Sequence, residues 1–164
     1  MVPLWLVFKN ADPDAPNVYV IFKSGDDLRQ DILTLQILTL MDSMWLQSGL
    51  DCRMKPYKCI ATGINEHGEG VGLIEVVLNS DTTSGIQLKH GGGAVGALKL
   101  DPIDLFLREH NKIVKDFERA VDNFVCSCAG YCVATFVLGI GDRHNGNIMV
   151  RNAHAARHGG GART

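Results

Sequence analysis

The sequence predicts an α+β fold, with a strand-rich first part followed by a helical second part. Short runs of β-branched and aromatic residues, separated by turn residues, occupy much of the first 77 positions around one long helical segment. Two further segments with helical periodicity follow after position 100. The chain has 164 residues, of which 46% are hydrophobic, and this is enough for about one domain with a buried core.

Strands are expected first at 3–8 and 18–23, on either side of a proline-containing turn at 10–17. A second pair is expected at 57–62 and 71–77, joined by a long glycine-rich turn. The first part of the chain is therefore predicted to be rich in β-structure.

A long helix is expected at 27–48, between the two pairs of strands. The run Ser24-Gly25-Asp26 offers an N-cap for it, and Gly49 offers a C-cap. Apolar residues lie on two faces of this helix, so we expect other parts of the chain to cover it on both sides. The first face carries Leu33, Ile37, Leu40, Met41 and Met44, and the second carries Leu28, Ile32 and Leu35.

The second part begins with a polar, glycine-rich stretch at 79–96 that predicts a loop or a connector. Helices are expected at 102–110 and 116–138, and a new strand begins at 148–150. The tail at 151–164 lacks apolar periodicity, which predicts disorder. The longer helix should carry one apolar face, formed by Phe117, Val121, Phe124, Cys128 and Cys132.

Composition and charge narrow the classes of function. Sixteen basic and eighteen acidic residues give a net charge of -2, which predicts no nucleic-acid partner and no polybasic membrane anchor. The five cysteines are expected to be buried free thiols, with a metal cluster as the alternative. The start of the chain has no secretory signal, and the longest apolar run, at 124–138, is too short for a membrane span. We therefore expect a cytoplasmic domain without a transmembrane segment.

A polar loop at Asp142 to Asn147 is the first candidate site. A phosphoryl-transfer enzyme needs a carboxylate or imidazole at the attacking hydroxyl and an oxygen ligand for Mg²⁺ a few residues later. Asp142 and Asn147 have the spacing of the Asp and Asn in the protein-kinase catalytic loop, although Asp142-Arg143-His144 reverses the usual order of that motif. The alternative is an ordinary polar turn between a helix and a strand.

Lys23 is the second candidate, at the end of an apolar strand. A lysine in this position can contact nucleotide phosphates if a carboxylate from the following helix holds it. Asp27 and Asp31 are four residues apart and would share a helix face. A solvated lysine before a capped helix is the alternative.

The third candidate is the strand Gly72-Leu73-Ile74-Glu75-Val76-Val77, which runs into a polar loop. An extended backbone beside aliphatic side chains can offer its N–H and C=O groups to the edge of an adenine ring. A plain buried strand would show the same pattern.

Together, four segments of this sequence resemble the catalytic domain of the phosphoinositide 3-kinases, class I most closely and class II next. The segments are IFKSGDDLRQD at 21–31, GLIEVV at 72–77, SCAGYCVAT at 127–135 and GIGDRHN at 139–145. The resemblance covers residues 2–150 and implies a truncated two-lobed, protein-kinase-like fold. Residues 1–77 would be part of the N-lobe with the hinge, and residues 78–150 would be part of the C-lobe with the catalytic loop.

The resemblance implies transfer of the γ-phosphate of ATP to the 3-hydroxyl of a phosphoinositide, with ATP and Mg²⁺ as cofactors. It implies a phosphoinositide lipid at the membrane surface as a partner, a regulatory subunit for the full-length protein, and peripheral recruitment from the cytoplasm to the plasma membrane. Asp142 and His144 would serve the attacking hydroxyl, Arg143 would support the loop, and Asn147 would ligate Mg²⁺. The implied nucleotide contacts are Lys23 at the phosphates, Asp31 and Tyr57 in the inner affinity pocket, Ile74, Glu75, Val76 and Val77 in the hinge, Ser80 at its exit, and Trp5 and Met149 as wall and floor of the adenine pocket.

Departures from the family pattern limit what this chain should do alone. It starts at or after the end of the family's phosphate-binding loop, and no Asp-Phe-Gly follows Val150 to supply a second Mg²⁺ ligand. We therefore expect the chain alone to be inactive or nearly so. A catalytically inactive nucleotide-binding or interaction fragment is the alternative, and a protein kinase is disfavoured by the reversed motif. The insert at 65–69 and the glycine at position 146 are expected to be tolerated.

Overall fold

A computed structural model describes residues 2–91 and 102–152 of the chain. The chain divides into two compact units, Met1–Val77 and Leu78–Thr164. The predicted disordered tail lies outside the described residues from position 153 onward, as does the end of the predicted loop at 92–96. The mixture of an antiparallel sheet and helices confirms the predicted α+β class.

The first unit contains a four-stranded antiparallel sheet. Its strands are β1 (Leu4–Phe8), β2 (Val18–Ser24), β3 (Cys59–Ile64) and β4 (Gly70–Glu75), in the spatial order β1-β2-β4-β3. The register places Lys23 opposite Gly72 and Ile21 opposite Ile74. All four strands were predicted, with end points shifted by up to two residues.

Helix α1 (Arg29–Gln47) confirms the predicted long helix, but it begins two residues later than predicted. Its N-cap position is Leu28, which makes no side-chain capping bond, so the predicted cap within 24–26 is wrong. It ends at Gln47, one residue before the predicted end, and Ser48 is its C-cap residue. Gly49 adopts a left-handed φ of 83°, and the N–H groups of Gly49 and Leu50 donate to the carbonyls of Leu46 and Trp45, which is the Schellman arrangement.

Helix α1 was expected to be covered on both of its apolar faces, but the described residues cover it only in part. Leu38 is buried, whereas Leu33, Leu40 and Met44 on the first predicted face each expose more than half of their surface. Leu28, just before the helix, is fully buried at 1% exposure. Burial along this helix is therefore greatest near its start and middle.

The second unit contains a two-stranded antiparallel sheet and three helices. The strands are β5 (Ser80–Thr82) and β6 (Met149–Arg151), and the helices are α2 (Thr83–His90), α3 (Pro102–His110) and α4 (Val114–Val137). The core consists of Ile86, Phe106, Leu107, Ala120 and Val150. Helix α3 has its predicted bounds, and Arg151, which was predicted to begin the tail, belongs to β6.

The segment at 79–96 was predicted to be a loop or a connector without regular structure, and this is wrong for residues 80–90, which form β5 and α2. Thr82 caps α2 by accepting a hydrogen bond from the N–H of Gly85, and Ile86 is fully buried. Strand β5 depends on its pairing with β6, nearly 70 residues away, so no local pattern reveals it.

The predicted apolar face of α4 is only partly correct. Phe117, Val121 and Phe124 pack against the core, whereas Cys128 and Cys132 are exposed. All five cysteines are free, as predicted, but none belongs to the buried class. In the described part of the chain, no group of three or more His, Cys, Asp or Glu residues is placed to hold a metal ion.

Among the described residues, one helix is long and apolar enough to cross a membrane, and it is α4. It reaches that length by including residues before the apolar run at 124–138. Core helices of soluble domains can meet the same criterion, so a single helix of this kind is weak support for a membrane span.

Candidate active site

Lys23 lies near the end of β2, and its ammonium group forms an ion pair with Asp26 at 2.8 Å. The hydrogen bond that Lys23 donates to Asp26 raises the pKa of Lys23, and the charges of Asp26, Asp31 and Tyr57 act in the same direction against the effect of burial. A carboxylate does hold Lys23, as predicted, but the residue that bonds to it is Asp26. Sequence reasoning missed this partner because it assigned that role to the helix.

Asp27 has a different partner from the one that its sequence position predicted. It precedes α1 and binds Arg29, with Asp27 Oδ2 2.6 Å from Arg29 Nη2 and Asp27 Oδ1 2.9 Å from Arg29 Nε. The backbone N–H of Arg29 also donates to this carboxylate. These hydrogen bonds lower the pKa of Asp27 to about 2.

Asp31 lies in the first turn of α1, and its charge affects both Lys23 and Cys59. Burial is the main cause of the raised pKa of the Cys59 thiol, and the charges of Asp31 and Glu75 raise it further while Lys23 opposes them. The charged groups of Lys23, Asp31 and Glu75 are therefore close enough to Cys59 to influence its thiol. Cys59 was missed as a neighbour of this group, although its position in the strand after Tyr57 was a usable signal.

The predicted hinge begins as regular strand and ends outside it. Ile74 is half-buried in β4, between Ile21 and Cys59 in the register of the sheet. Glu75 closes the strand, where its backbone N–H donates to the carbonyl of Lys58 and its carboxylate accepts from the N–H of Lys58.

Val76 and Val77 follow the strand, and the N–H of Val76 donates to the carbonyl of Tyr19 at 3.2 Å. Two aromatic side chains predicted to line the nucleotide pocket, Trp5 and Tyr57, are exposed by 58% and 40%. The ring of Trp5 lies 6.4 Å from that of Tyr19. These side chains are accessible, as a wall for a ligand requires.

Asn147 holds the polar loop of the second unit in a closed shape. Its amide Nδ2 donates to the carbonyl of Asp142 at 2.8 Å, and its Oδ1 accepts from the N–H of His144 at 3.0 Å. Its own N–H donates to the carbonyl of His144. The loop places the exposed residues Asp142, Arg143 and His144 on one short stretch of ordered backbone.

The ring of His144 accepts a hydrogen bond at Nδ1 from the N–H of Gly146, at 3.1 Å. A neutral imidazole that accepts at Nδ1 carries its proton on Nε2, which can then act as a donor. Gly146 permits this approach, because a Cβ there would meet the His144 ring at 3.1 Å. The glycine is therefore compatible with the loop and has a packing role in it.

The start of α2 anchors the same loop, although sequence reasoning assigned no helix there. The hydroxyl of Thr83 and the N–H of Ser84 both donate to the carbonyl of Asn145, at 3.0 and 2.8 Å. The N–H of Thr83 donates to the carbonyl of Ile148, and Asn145 Nδ2 reaches Gln87 at 3.3 Å. The Thr-Thr-Ser run at 82–84 is typical of a helix start and was the signal available in the sequence.

The last two predicted site residues lie on the short sheet. Ser80 begins β5 opposite Arg151, and Met149 begins β6 opposite Thr82. Met149 exposes 54% of its surface. The predicted phosphate and hinge residues therefore lie in the first unit, whereas the catalytic-loop residues, Ser80 and Met149 lie in the second.

A strand-end lysine in an antiparallel sheet and an Asp…Asn loop in a helical unit are each features of kinase-like domains. The family model for "Phosphatidylinositol 3- and 4-kinase" matches residues 17–158. Because this match covers most of the chain, the chain belongs to the phosphatidylinositol 3- and 4-kinase family.

Similar proteins agree with this assignment. The chain is 56% identical over 149 residues to phosphatidylinositol 3-kinase 1 of Dictyostelium discoideum and 59% identical to phosphatidylinositol 3-kinase 3 of the same organism. It is 49% identical over 150 residues to the human phosphatidylinositol 4-phosphate 3-kinase C2 domain-containing subunit beta. These alignments cover 91%, 91% and 92% of this chain but only 9%, 8% and 9% of those proteins. The chain thus spans less than a tenth of the length of these relatives. Its antiparallel sheet and helices are in line with the expected truncated kinase-like fold.

Proposed function

We propose that this chain is the part of a phosphoinositide 3-kinase that carries the hinge and the catalytic loop. In the whole protein, the reaction is transfer of the γ-phosphate of ATP to the 3-hydroxyl of a phosphoinositide. The observation that carries this proposal is the closed Asp142–Asn147 loop, held by Asn147 within a family match of 142 residues from 17 to 158.

Each of the three loop residues has a separate role at the attacking hydroxyl. Asp142 is exposed and accepts the proton of the hydroxyl, since a carboxylate acts as an acceptor when ionised. His144, with its proton on Nε2, donates a hydrogen bond toward the transferring phosphoryl group. Arg143 supports the loop and adds positive charge beside it.

In the first unit, Lys23 binds the ATP phosphates while Asp26 orients its ammonium group. Ile74, Glu75, Val76 and Val77 form the adenine hinge, with Ser80 at its exit. Trp5 and Met149 contact the adenine ring, and Asp31 and Tyr57 line the inner pocket. The exposure of Trp5, Tyr57 and Met149 supports these assignments, because a ligand can reach all three.

Asn147 is the residue that would ligate Mg²⁺, which when bound neutralises charge on the phosphates. Its Oδ1 accepts one hydrogen bond from His144, and a carbonyl oxygen has a second lone pair for a metal. Mg²⁺ sites also use carboxylates, and positions 143–164 contain no acidic residue. The isolated chain is therefore proposed to have little or no kinase activity.

The whole protein is proposed to act on lipid at the membrane surface, with recruitment from the cytoplasm and a regulatory subunit as partner. The names of the relatives support the lipid substrate, since two are phosphatidylinositol 3-kinases and one is a phosphatidylinositol 4-phosphate 3-kinase subunit.

The decisive experiment is a lipid kinase assay on the full-length gene product with phosphatidylinositol vesicles, ATP and Mg²⁺. Asp142→Asn should lower kcat by at least about 100-fold, since it removes the proton acceptor. Asp14→Asn, in the exposed turn before β2, is the matched control and should retain full activity. If the full-length protein phosphorylated a peptide substrate but no lipid, it would be a protein kinase instead.

A catalytically inactive nucleotide-binding fragment is the second candidate, supported by the lack of acidic residues after position 142. Calorimetry of the purified 164-residue chain with ATP and Mg²⁺ addresses it. Micromolar, Mg²⁺-dependent binding without lipid phosphorylation would support this candidate, whereas measurable lipid turnover by the chain alone would refute it.

A further inference from the structure

The turn between β3 and β4 contains the insert at 65–69, and the side chain of Asn65 organises it. Asn65 Oδ1 accepts from the N–H groups of His67 and Glu69, at 3.0 and 2.9 Å. Its Nδ2 donates to the carboxylate of Glu69 at 2.9 Å and to the hydroxyl of Ser24 at 3.2 Å. One side chain thus closes the turn and links it to the residue next to Lys23.

The main chain provides a second link between the same two segments. The carbonyl of Gly70 accepts from the N–H groups of Gly25 and Asp26, at 2.9 and 3.2 Å. The approach is so close that a Cβ on Gly70 would lie 2.7 Å from Asp27 Cα and 2.8 Å from the carbonyl oxygen of Asp26. The segment that carries Asp26 therefore follows the position of the turn.

Both partners of the Lys23–Asp26 ion pair depend on this hairpin. Lys23 is set by the register of β2 against β4, and Asp26 is set by its bond to Gly70. Gly25, with a φ of 89°, directs the chain between them. The Glu69 carboxylate oxygen Oε2 lies 3.3 Å from the position that a Cβ on Gly25 would occupy. A shift of the turn would change the Lys23–Asp26 distance of 2.8 Å without any change in either residue.

We propose that Asn65 is a positioning residue, which holds the turn against Ser24 and Gly25 and thereby fixes the ammonium group of Lys23 against Asp26. The insert, expected from sequence to be tolerated as a longer turn, is then part of the support for the phosphate-binding lysine. The consequence for catalysis rests on the proposed function, whereas the effect on Lys23 itself does not.

The test measures the reactivity of Lys23 in the purified chain toward an amine-reactive acetylating ester, by mass spectrometry, with Lys9 as internal reference. Only the neutral amine reacts, and Asp26 favours the charged form. Asn65→Ala and Gly70→Ala should each accelerate acetylation of Lys23 about threefold, which corresponds to a pKa change of about half a unit. Ser24→Ala removes the Asn65–Ser24 bond alone and should give a smaller increase in the same direction.

Glu66→Ala is the matched control, because Glu66 lies in the same turn with an exposed side chain, and it should leave the Lys23 rate unchanged. Lower melting temperatures with unchanged Lys23 rates in all three variants would mean that the turn is merely structural and would overturn the proposal. An equal acceleration by Glu66→Ala would also overturn it. If Asn65→Ala does not fold, the rates in Ser24→Ala and Gly70→Ala decide the outcome by the same criteria.

Protection of Lys23 by ATP and Mg²⁺ in the unmodified chain tests the proposed function separately. Variant effects without ATP protection would support the positioning role and count against nucleotide binding by this chain. Protection of Lys23 by ATP without any effect of the variants would support nucleotide binding by this chain and count against the positioning role of Asn65.

Discussion

Asp27 is an exposed residue whose charged form the fold stabilises. Hydrogen bonds from the side chain and backbone of Arg29 lower the pKa of Asp27 from 3.8 to about 2. Because the pKa is lower in the folded chain, the contribution of Asp27 to stability is complete above about pH 4 and is lost as the pH falls toward 2. Asp27→Asn should therefore flatten the decrease of melting temperature over this range.

The check is a series of thermal melts between pH 2 and 5, with Asp14→Asn as the control. Asp14 lies in the exposed β1–β2 turn, and the control should follow the unmodified chain. Parallel curves for Asp27→Asn and the unmodified chain would contradict the assigned role of Arg29.

At the scale of single residues, the sequence identified the candidates better than their partners. Lys23 was recognised from its position after an apolar strand, and the structure does pair it with a carboxylate. That carboxylate is Asp26 because Gly25 adopts a left-handed φ of 89° and α1 starts only at Arg29. Neither the turn conformation nor the exact helix start is encoded in a periodic pattern, so the partner could not be predicted.

At the scale of elements, packing between β4 and the start of α1 depends on Gly72. A Cβ at this position would lie 2.5 Å from Leu28 Cδ1 and 2.6 Å from the carbonyl oxygen of Ile60. Leu28 is fully buried and the second atom is backbone, so neither can move cheaply. We expect Gly72→Ala to reduce the free energy of unfolding by about 1–3 kcal/mol.

Urea titration of the chain measures this loss, and Gly141→Ala is the matched control. No atom lies within 4 Å of a Cβ at Gly141, so that substitution should be close to neutral. Equal midpoints for the two variants would show that the β4–α1 contact is looser than described.

The start of α2 and the Asp142–Asn147 loop form a second pair of coupled elements. Thr83→Val keeps the shape of the side chain but removes the hydroxyl that donates to Asn145. The loss of one such hydrogen bond costs about 1 kcal/mol. Amide exchange in the loop should become about fivefold faster, because local opening would then need less free energy.

Hydrogen–deuterium exchange with mass spectrometry of peptides covering 139–148 tests this expectation. Thr39→Val, which removes a comparable hydroxyl bond within α1, is the control and should not change exchange in those peptides. If both variants left the loop unchanged, the backbone bond from Ser84 would be the main anchor.

How well an element was predicted follows from where its stabilising contacts lie along the chain. Helices α1, α3 and α4 and the four strands of the first sheet carry their own apolar patterns, and all were predicted. Helix α2 has eight residues and one buried side chain, Ile86, so it shows no periodicity. Strand β5 exists through pairing with β6, and this contact between distant residues has no local signal.

At the scale of the whole molecule, the described structure leaves one apolar stripe of α4 uncovered. Val125, Val133, Phe136 and Val137 expose 58%, 51%, 88% and 64% of their surface. Cys128 and Cys132 lie exposed between them. The spacing of these residues places them along one side of the helix, so they form a contiguous surface.

Contiguous apolar surfaces of this kind promote association. We expect the purified 164-residue chain to form large species that increase with concentration. Phe136→Lys should reduce them several-fold, because it places a charge in the stripe, and a lysine in the last turn is compatible with the helix dipole. Ile64→Lys, at a side chain 75% exposed in β3, is the matched control and should have little effect, since it adds the same charge away from the stripe.

Static light scattering over a concentration series measures the association. A monomeric, cooperatively melting chain without substitutions would show that the exposed stripe of α4 does not drive association.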